Sequence, residues 1–259
     1  MGKVIVVANQ KGGVGKTTTT INLSAYLADS KKKTLLIDCD PQGNASSGIG
    51  IDKEETEANV YNVLVNGEDI AKNIIPTQYK NLSIIPSNVD LAGAEIELVS
   101  FNNREYLLKE AIKKVKEEYD YILIDCPPSL GLLTLNAFAA ADSVIIPIQC
   151  EYYALEGLGQ LTKTVSTIKQ SINKDIEIEG ILLTMFDKRT NLSTVVYEEV
   201  KKFFPDKVYK TVIPRNVRLS EAPSFGESII SYDKFSKGAH AYKALAKELI
   251  KNNKENKNG

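Results

Sequence analysis

Residues 3–18 read KVIVVANQKGGVGKTT and decide the fold. The opening KVIVVA is a continuous β-branched run, typical of a strand buried on both faces. A glycine-rich turn follows, and apolar residues then recur at helical spacing over residues 17–28. A strand, a glycine-rich turn and a helix, in that order, form the setting in which phosphate-binding loops occur. The sequence therefore predicts a P-loop between Gln10 and Thr18.

The rest of the chain alternates strand and helix patterns. Apolar runs predict strands at residues 34–38, 82–86, 121–125, 143–148 and 178–185, with a shorter one at 209–213. Amphipathic patterns predict helices at residues 104–118, 155–171, 194–204 and 239–252. This alternation predicts an α/β fold with a mostly parallel sheet and helices on both faces. We expect a single domain over residues 1–251 and a disordered polar tail at 252–259.

Composition limits the function classes. The chain has 259 residues, of which 43% are hydrophobic and 25% charged, as in ordinary globular proteins. The formal net charge is −1, so nucleic-acid binding would need a local basic patch. The three cysteines lack CxxC spacing, which disfavours a disulfide framework and a zinc site and predicts buried, reduced thiols. A single histidine, His240, excludes a multi-histidine metal site.

The predicted P-loop assigns a role to each of its residues. Glycines let the backbone curl so that successive N–H groups point at phosphate oxygens, and the helix N-terminus adds its positive end. Lys16 would reach the β- and γ-phosphates, Thr17 would bind Mg²⁺, and Thr18 would hold the α-phosphate. The predicted nucleotide-binding residues of the loop are Lys11, Gly12, Gly13, Val14, Gly15, Lys16, Thr17 and Thr18.

The loop departs from the standard pattern at its start. A standard P-loop begins with glycine five residues before the Gly-Lys pair, but this position is Gln10, and a second lysine, Lys11, follows it. Loop geometry makes it hard for Lys11 to curl back onto its own nucleotide. We expect Lys11 to project towards a nucleotide on a facing subunit, like an arginine finger supplied in trans.

Several motifs together carry a resemblance that covers nearly the whole chain. KGGVGKTT, with its two lysines, resembles the deviant Walker A motif of the ParA/MinD ATPases. LLIDCDPQGN at residues 35–44 is similar to the second motif of that family, and YILIDCPP at 121–128 to its Walker B motif. Residues 214–216 and 219–223 resemble the chromosome-partitioning ParA (Soj) branch in particular. The resemblance implies a P-loop NTPase of the deviant Walker A, SIMIBI type.

Three aspartates, Asp38, Asp40 and Asp125, follow apolar strands. Carboxyl ends of parallel strands line the ligand crevice of an open α/β sheet, and carboxylates gathered there need a cation such as Mg²⁺. Asp125 fits a Walker B role, holding Mg²⁺ through water, and Asp38 fits the metal's outer shell. By resemblance, Asp40 orients or deprotonates the attacking water. The predicted reaction is Mg²⁺-dependent ATP hydrolysis with Lys11, Lys16 and Asp40 as catalytic residues.

The choice of base depends on the resemblance. The family's adenine pocket uses a late segment, which implies Pro214 and Asn216 here. No guanine-reading Asn-Lys-x-Asp sequence occurs in the chain, which agrees with ATP as the ligand.

The resemblance also implies partners. ParA proteins of this branch form an ATP-bound homodimer that binds DNA without sequence preference, and a ParB-like protein stimulates their otherwise slow hydrolysis. Arg189 and Arg218 occupy positions where the branch carries DNA-contacting arginines, and Lys234 and Lys237 are further candidates. The implied location is the cytoplasm, associated with the nucleoid.

Other functions remain open at this point. The first alternative is a MinD-like positioning ATPase on a membrane, which would need an exposed apolar face on the last helix. That helix could equally pack on the domain, and the tail is polar, so membrane binding is disfavoured. A metabolic P-loop enzyme or an iron–sulfur ATPase is a second alternative, and it is weak because cluster ligation needs cysteines at a suitable spacing, which Cys126 and Cys150 do not have. A third is a related tyrosine kinase, which would carry a tyrosine-rich tail that this sequence does not show.

Overall fold

The computed structural model describes residues 2–151 and 154–258, with side chains for 2–151 and 157–255. The described residues contain seven strands, which form one sheet. The strands are β1 Lys3–Val7, β2 Thr34–Asp38, β3 Ile75–Pro76, β4 Leu82–Ile85, β5 Tyr121–Asp125, β6 Ser143–Gln149 and β7 Glu177–Thr184. Their order across the sheet is β3-β4-β2-β5-β1-β6-β7, and every pairing is parallel except that of the short edge strand β3.

Strand register brings the predicted site residues to one edge. Val7 at the end of β1 is paired in register with Asp125 at the end of β5. Asp38 at the end of β2 is paired with the same Asp125. The loop after β1 and both aspartates therefore lie at the carboxyl edge of three adjacent central strands, where ligands bind in open α/β sheets.

The described part of the chain also contains eleven α-helices and four short 3₁₀ helices. The α-helices are α1 Lys16–Asp29, α2 Asn44–Ser47, α3 Val60–Leu64, α4 Leu91–Glu97, α5 Leu107–Lys113, α6 Leu132–Ala140, α7 Ala154–Ser171, α8 Asn191–Phe203, α9 Val217–Glu221, α10 Ile229–Tyr232 and α11 Lys237–Asn258. The 3₁₀ helices are Ile70–Asn73, Leu98–Ser100, Lys116–Glu118 and Ala222–Phe225.

Helices cover both faces of the sheet, as the residues of β1 make clear. Val4 and Val6 belong to one apolar cluster, which contains residues of α4, α5, α6, α7 and α8. Ile5 and Val7 point the other way, into a cluster with α1 and α11. Alternate residues of one strand are therefore buried on opposite faces, which explains the continuous apolar run and confirms the predicted mostly parallel α/β sheet.

The prediction of a short strand at residues 209–213 is wrong. Only the flanking residues Val208 and Pro214 form isolated bridges, to Ile181 and Phe186. Between them, the backbone N–H groups of Lys210 and Thr211 donate to the carboxylate of Glu248 on α11, at 2.7 and 3.0 Å. Because a helix side chain accepts from these backbone donors, the segment does not continue as a regular strand.

The predicted helix at residues 104–118 is divided and shorter. Asn136 of α6 explains its late start, because its side chain accepts from the backbone N–H of Leu108 and donates to the carbonyl of Arg104. These groups would otherwise bond to each other along a helix. The regular α5 begins at Leu107, and only a 3₁₀ turn, Lys116–Glu118, follows it.

The disordered tail expected at residues 252–259 is also corrected, because α11 continues to Asn258, the last described residue. Asn253 is buried, and its side-chain oxygen accepts from the Lys3 ammonium group on β1. Lys251 pairs with Glu255 one turn later. Because these residues are polar, the sequence did not reveal that Asn253 anchors the end of α11 to the first strand.

Two further observations bear on the sequence predictions. Cys39, Cys126 and Cys150 are free and buried, as the cysteine pattern predicted. Within residues 2–151 and 154–258, no helix has the length and apolar character needed to span a membrane.

Candidate functional site

The loop between β1 and α1 has the geometry of an anion cradle. Gly13 and Gly15 adopt positive φ angles of 74° and 87°, which glycine tolerates without strain. Gly15 is also the N-cap of α1 and offers no side chain to the first-turn N–H groups. A Cβ placed on Gly12 or Gly13 would meet no atom within 4 Å, so space lies along this part of the loop. The unpaired N–H groups of a helix start in such a loop suit phosphate oxygens.

Lys16 lies almost buried at the base of this loop. Its ammonium group donates to the carbonyl of Lys11 across the loop at 3.2 Å. Burial lowers its pKa, while the charges of Asp125 and Asp40 oppose the decrease. A buried cation with a backbone carbonyl as its hydrogen-bond partner is well suited to exchange that bond for a phosphate oxygen.

Asp125 accepts hydrogen bonds from two residues of α1. The hydroxyl of Thr17 donates to it at 2.7 Å and that of Thr20 at 2.9 Å. Burial is the main cause of its raised pKa, and Asp38 raises it further. Sequence reasoning missed Thr20, although residues three apart on a helix share a face and Thr20 follows Thr17 by three.

The other two aspartates differ in how fully their oxygens are used. Asp38 is buried and accepts from the backbone and hydroxyl of Ser46, at 2.8 and 2.7 Å, and from the backbone of Asp40 at 3.1 Å. Burial raises its pKa. Asp40 accepts from the backbone of Gln42 through Oδ1, and among the described residues its Oδ2 has no hydrogen-bond donor. Asp40 is thus the aspartate with an oxygen left for water. Nothing in the sequence marked Ser46.

The aspartates do not form a metal cage by themselves. Among the described residues, no three His, Cys, Asp or Glu side chains are grouped closely enough to hold a metal ion. Mg²⁺ commonly takes only one or two protein carboxylates and completes its shell with waters and substrate phosphates. The contacting oxygens of Thr17 and Asp125, beside the P-loop, fit that smaller share.

A cavity of about 260 Å³ adjoins the loop. It joins Gly15 and Thr18 of the loop to Pro214 and Asn216, which are about 200 residues away in sequence. Asn216 caps α9 by accepting from the backbone of Arg218 at 2.9 Å. The predicted loop and late segment therefore meet at one cavity. Arg215, within the same predicted segment, also lines it; the lining residues that sequence reasoning did not assign to the pocket are Thr184, Met185, Ile213, Val217, Leu219, Ser220 and Tyr242.

Lys11 lies on the outer side of the loop. Its backbone N–H donates to the Asn9 side chain at 2.9 Å, and the Asn9 amide donates to the carbonyl of Pro147. Its half-exposed ammonium group pairs with Glu151 at 2.8 Å. Asn9 therefore ties the start of the loop to β6, and the Lys11 side chain is held by Glu151, which follows that strand.

The four basic residues singled out for DNA binding lie on neighbouring elements. Arg189 and Lys237 line one cavity of about 620 Å³, together with Lys188 and Arg215. Arg189 is exposed and pairs with Asp187 at 2.7 Å. Arg218 pairs with Glu221 at 2.9 Å and approaches Asp233, the residue before Lys234, at 3.7 Å. We call these four side chains, Arg189, Arg218, Lys234 and Lys237, the basic surface.

Comparisons with known proteins agree with this geometry. A protein-family model described as an AAA domain matches residues 2–178. The sporulation initiation inhibitor protein Soj of Bacillus subtilis (strain 168) is 61% identical over 252 residues, covering 97% of this chain and 100% of that relative. The chromosome partitioning protein ParA of Myxococcus xanthus is 56% identical over 251 residues, covering 97% and 89%.

Solved structures share the fold over nearly their full lengths. Cobyrinic acid a,c-diamide synthase from Mycobacterium smegmatis, with bound ADP and magnesium, superposes with a TM-score of 0.86 at 38% identity, covering 98% of this chain and 96% of that one. The septum site-determining protein MinD from Pyrococcus horikoshii, complexed with Mg-ADP, gives a TM-score of 0.79 at 29% identity, with 96% of each chain covered.

Proposed function

Because the chain belongs to the ParA/MinD family of P-loop ATPases, in its Soj branch, we propose that it is an ATP-dependent switch for chromosome partitioning. The observation that carries the proposal is the Thr17–Asp125 hydrogen bond beside an uncapped, glycine-rich helix start. This hydrogen bond joins the Thr17 hydroxyl, a potential metal ligand, to the Walker B carboxylate of Asp125. The high identity to relatives named for partitioning supports the biological role.

The site chemistry supports Mg²⁺-dependent ATP hydrolysis. The loop N–H groups and Lys16 bind the phosphates, and the cavity lined by Pro214 and Asn216 takes the adenine. Thr17, and Asp125 through water, would hold Mg²⁺, with Asp38 in the outer shell of the ion; the bound ion would supply positive charge to offset the charge that develops on the transferred phosphoryl group. Asp40, with Oδ2 available, orients or deprotonates the attacking water.

The switch works through assembly. ATP binding closes a homodimer in which Lys11 of each chain reaches the nucleotide of the other. The dimer doubles the basic surface and binds DNA without sequence preference, so that a local patch suffices although each chain has a net charge of −1. A ParB-like partner stimulates hydrolysis, and the resulting monomer leaves the DNA. Nucleotide state thus controls DNA affinity through the dimer.

The first test combines hydrolysis with DNA binding. We would measure fluorescence anisotropy of a labelled non-specific duplex with ATP, ADP or no nucleotide, for the wild type, Asp40→Ala and Arg218→Ala. Lys113→Ala, an exposed lysine paired only within α5, is the control. We expect binding with ATP alone, prolonged in Asp40→Ala because hydrolysis stops while ATP still binds, and lost in Arg218→Ala. Absence of DNA binding in every nucleotide state would overturn the switch.

The MinD-like alternative lacks the helix face that it requires. Tyr242, Leu245 and Leu249 of α11 are buried in the cluster with β1 and α1, so they are unavailable to a membrane. The metabolic alternative is represented by cobyrinic acid a,c-diamide synthase at 38% identity, well below the 61% of the Soj relative and the 56% of the ParA relative.

A further inference from the structure

Phe235 is an exposed aromatic side chain that the switch chemistry leaves unexplained. It lies in the turn between α10 and α11 and is 77% exposed. The Lys234 ammonium group lies 5.1 Å from the centroid of its ring. A single exposed phenyl ring is common on protein surfaces and needs no explanation in itself. Its position among cations is what indicates a function.

The turn that carries Phe235 is fixed to Arg218. The backbone N–H of Phe235 donates to Oδ1 of Asp233 at 3.2 Å. The other oxygen of that carboxylate lies 3.7 Å from Nε of Arg218 on α9. One carboxylate therefore holds both the turn and the arginine, and keeps Phe235 beside Arg218.

The start of α11 completes the surroundings. Lys237 lies two residues beyond Phe235 and shares a cavity with Arg189. The next residue, Gly238, packs so closely on Leu219 that a Cβ would lie 2.7 Å from the leucine Cγ. Leu219 adjoins Arg218, so α9 and α11 are locked together at this point. The exposed ring is therefore carried by a turn that is connected to Arg218 and contains Lys234, and Lys237 follows two residues later.

The combination of groups selects the kind of ligand. A surface that carried only cations would require no more than phosphates as its ligand. An uncharged ring adds nothing to that electrostatic attraction. Duplex DNA offers phosphates together with apolar deoxyribose a few ångströms away and with base faces wherever a base step is partly unstacked, and DNA-binding proteins often use apolar side chains there. A bilayer is a poorer match, because α9 and α10 have only five and four residues and cannot lie in its interface as amphipathic helices.

We propose that Phe235 is an apolar contact to duplex DNA, packing on sugar or base faces while Arg218, Lys234 and Lys237 bind the adjacent phosphates. The inference rests on the proposed DNA-binding function and adds a non-electrostatic component to it. Phe235 would therefore contribute affinity that salt does not screen.

The distinguishing test is the salt dependence of binding. We would measure anisotropy of a duplex with ATP at several salt concentrations for Phe235→Ala and Lys234→Ala. Phe235→Ala should weaken binding about 5- to 30-fold at every salt concentration, because burial of the ring is lost, and should leave the slope of log affinity against log salt unchanged. Lys234→Ala should reduce that slope by about 0.9 for each phosphate that the protein no longer neutralises. The control is Phe203→Ala, since Phe203 is 68% exposed and also follows lysines, but on α8.

A second readout uses the absence of tryptophan from the chain. Phe235→Trp introduces a single tryptophan, which can be excited apart from the 12 tyrosines and whose fluorescence should change when duplex DNA is added with ATP. Wild-type affinity in Phe235→Ala, or unchanged emission while anisotropy reports binding, overturns this inference alone. Failure of the wild type to bind DNA overturns the proposed function and this inference with it. A blue shift with anionic phosphatidylglycerol vesicles, without any response to DNA, assigns the ring to a membrane and also overturns it.

Discussion

Thr17 at the start of α1 and Asp125 at the end of β5 are 108 residues apart in sequence and are joined by a 2.7 Å hydrogen bond. The role of each residue could be predicted from its own motif, but the hydrogen bond forms only because β1 and β5 are adjacent and in register. It aligns a hydroxyl oxygen and a carboxylate at the edge of the P-loop. That pairing is the basis for expecting Mg²⁺ to act between the loop and the central strand.

The hydroxyl of Thr17 should be needed for the metal. In Thr17→Val the shape is kept and the hydroxyl is removed, so the gain in ATP affinity produced by Mg²⁺ should fall about 10- to 100-fold. Titration of ATP with and without Mg²⁺ measures this gain. Thr17→Ser retains the hydroxyl and should stay near the wild type. Full Mg²⁺ dependence in Thr17→Val would contradict the assignment.

Lys11 should act on assembly rather than on folding. Its ion pair with Glu151 joins two half-exposed side chains, so Lys11→Ala should change the free energy of unfolding by less than about 1 kcal/mol. It should abolish ATP-dependent dimerisation, because the cation that reaches across the interface is gone. Sedimentation velocity with ATP gives the readout, and Lys113→Ala is the matched exposed-lysine control. A variant that dimerises and hydrolyses ATP normally would refute the trans role.

Gly226 should be more sensitive to substitution than its backbone angle alone requires. Its φ is +64°, and a Cβ there would lie 2.9 Å from the Cα of Gly50. Gly67 has a similar φ of +67° with nothing within 4 Å. Gly67→Ala should therefore cost about 1–2 kcal/mol from strain alone, and Gly226→Ala about 1–3 kcal/mol more from the clash. Urea denaturation compares the two; equal decreases in stability would mean that the contact with Gly50 relaxes freely.

The end of α11 should contribute to stability. Deleting residues 252–259 removes buried Asn253, the acceptor for the Lys3 ammonium group, and should lower the free energy of unfolding by about 1–3 kcal/mol. Deleting residues 257–259 alone should change it by less than about 0.5 kcal/mol. Thermal unfolding of the two truncated chains distinguishes them. If the longer deletion were also neutral, Asn253 would not be an anchor.

Local sequence patterns predicted the structure well wherever the conformation of a residue depends on its neighbours in sequence. The strand at residues 34–38 and the one at 121–125 were predicted to the residue, because strands buried on both faces require uninterrupted apolar runs. The P-loop was recognisable for a similar reason. Its glycines and Lys16 lie in one short stretch, and the local sequence imposes the backbone geometry of that stretch.

The errors share one cause, a distant side chain that takes over backbone groups. Glu248 occupies the donors of residues 210 and 211, and Asn136 occupies groups near the start of α5. Asn253 looked like part of a solvated tail because its acceptor role needs Lys3, 250 residues away. No window of sequence contains both partners of such contacts.

The sequence by itself determined the fold class, the phosphate loop and the carboxylates that follow apolar strands, and the family resemblance supplied the catalytic role of Asp40. The first three depend on periodicity and on spacing within single elements. Only the tertiary structure decided which aspartate keeps an available oxygen, that Pro214 and Asn216 reach the loop, and that Phe235 lies among the basic residues. The physical reason is that hydrogen-bond satisfaction and proximity are properties of packed pairs, and packing joins residues that the sequence keeps apart.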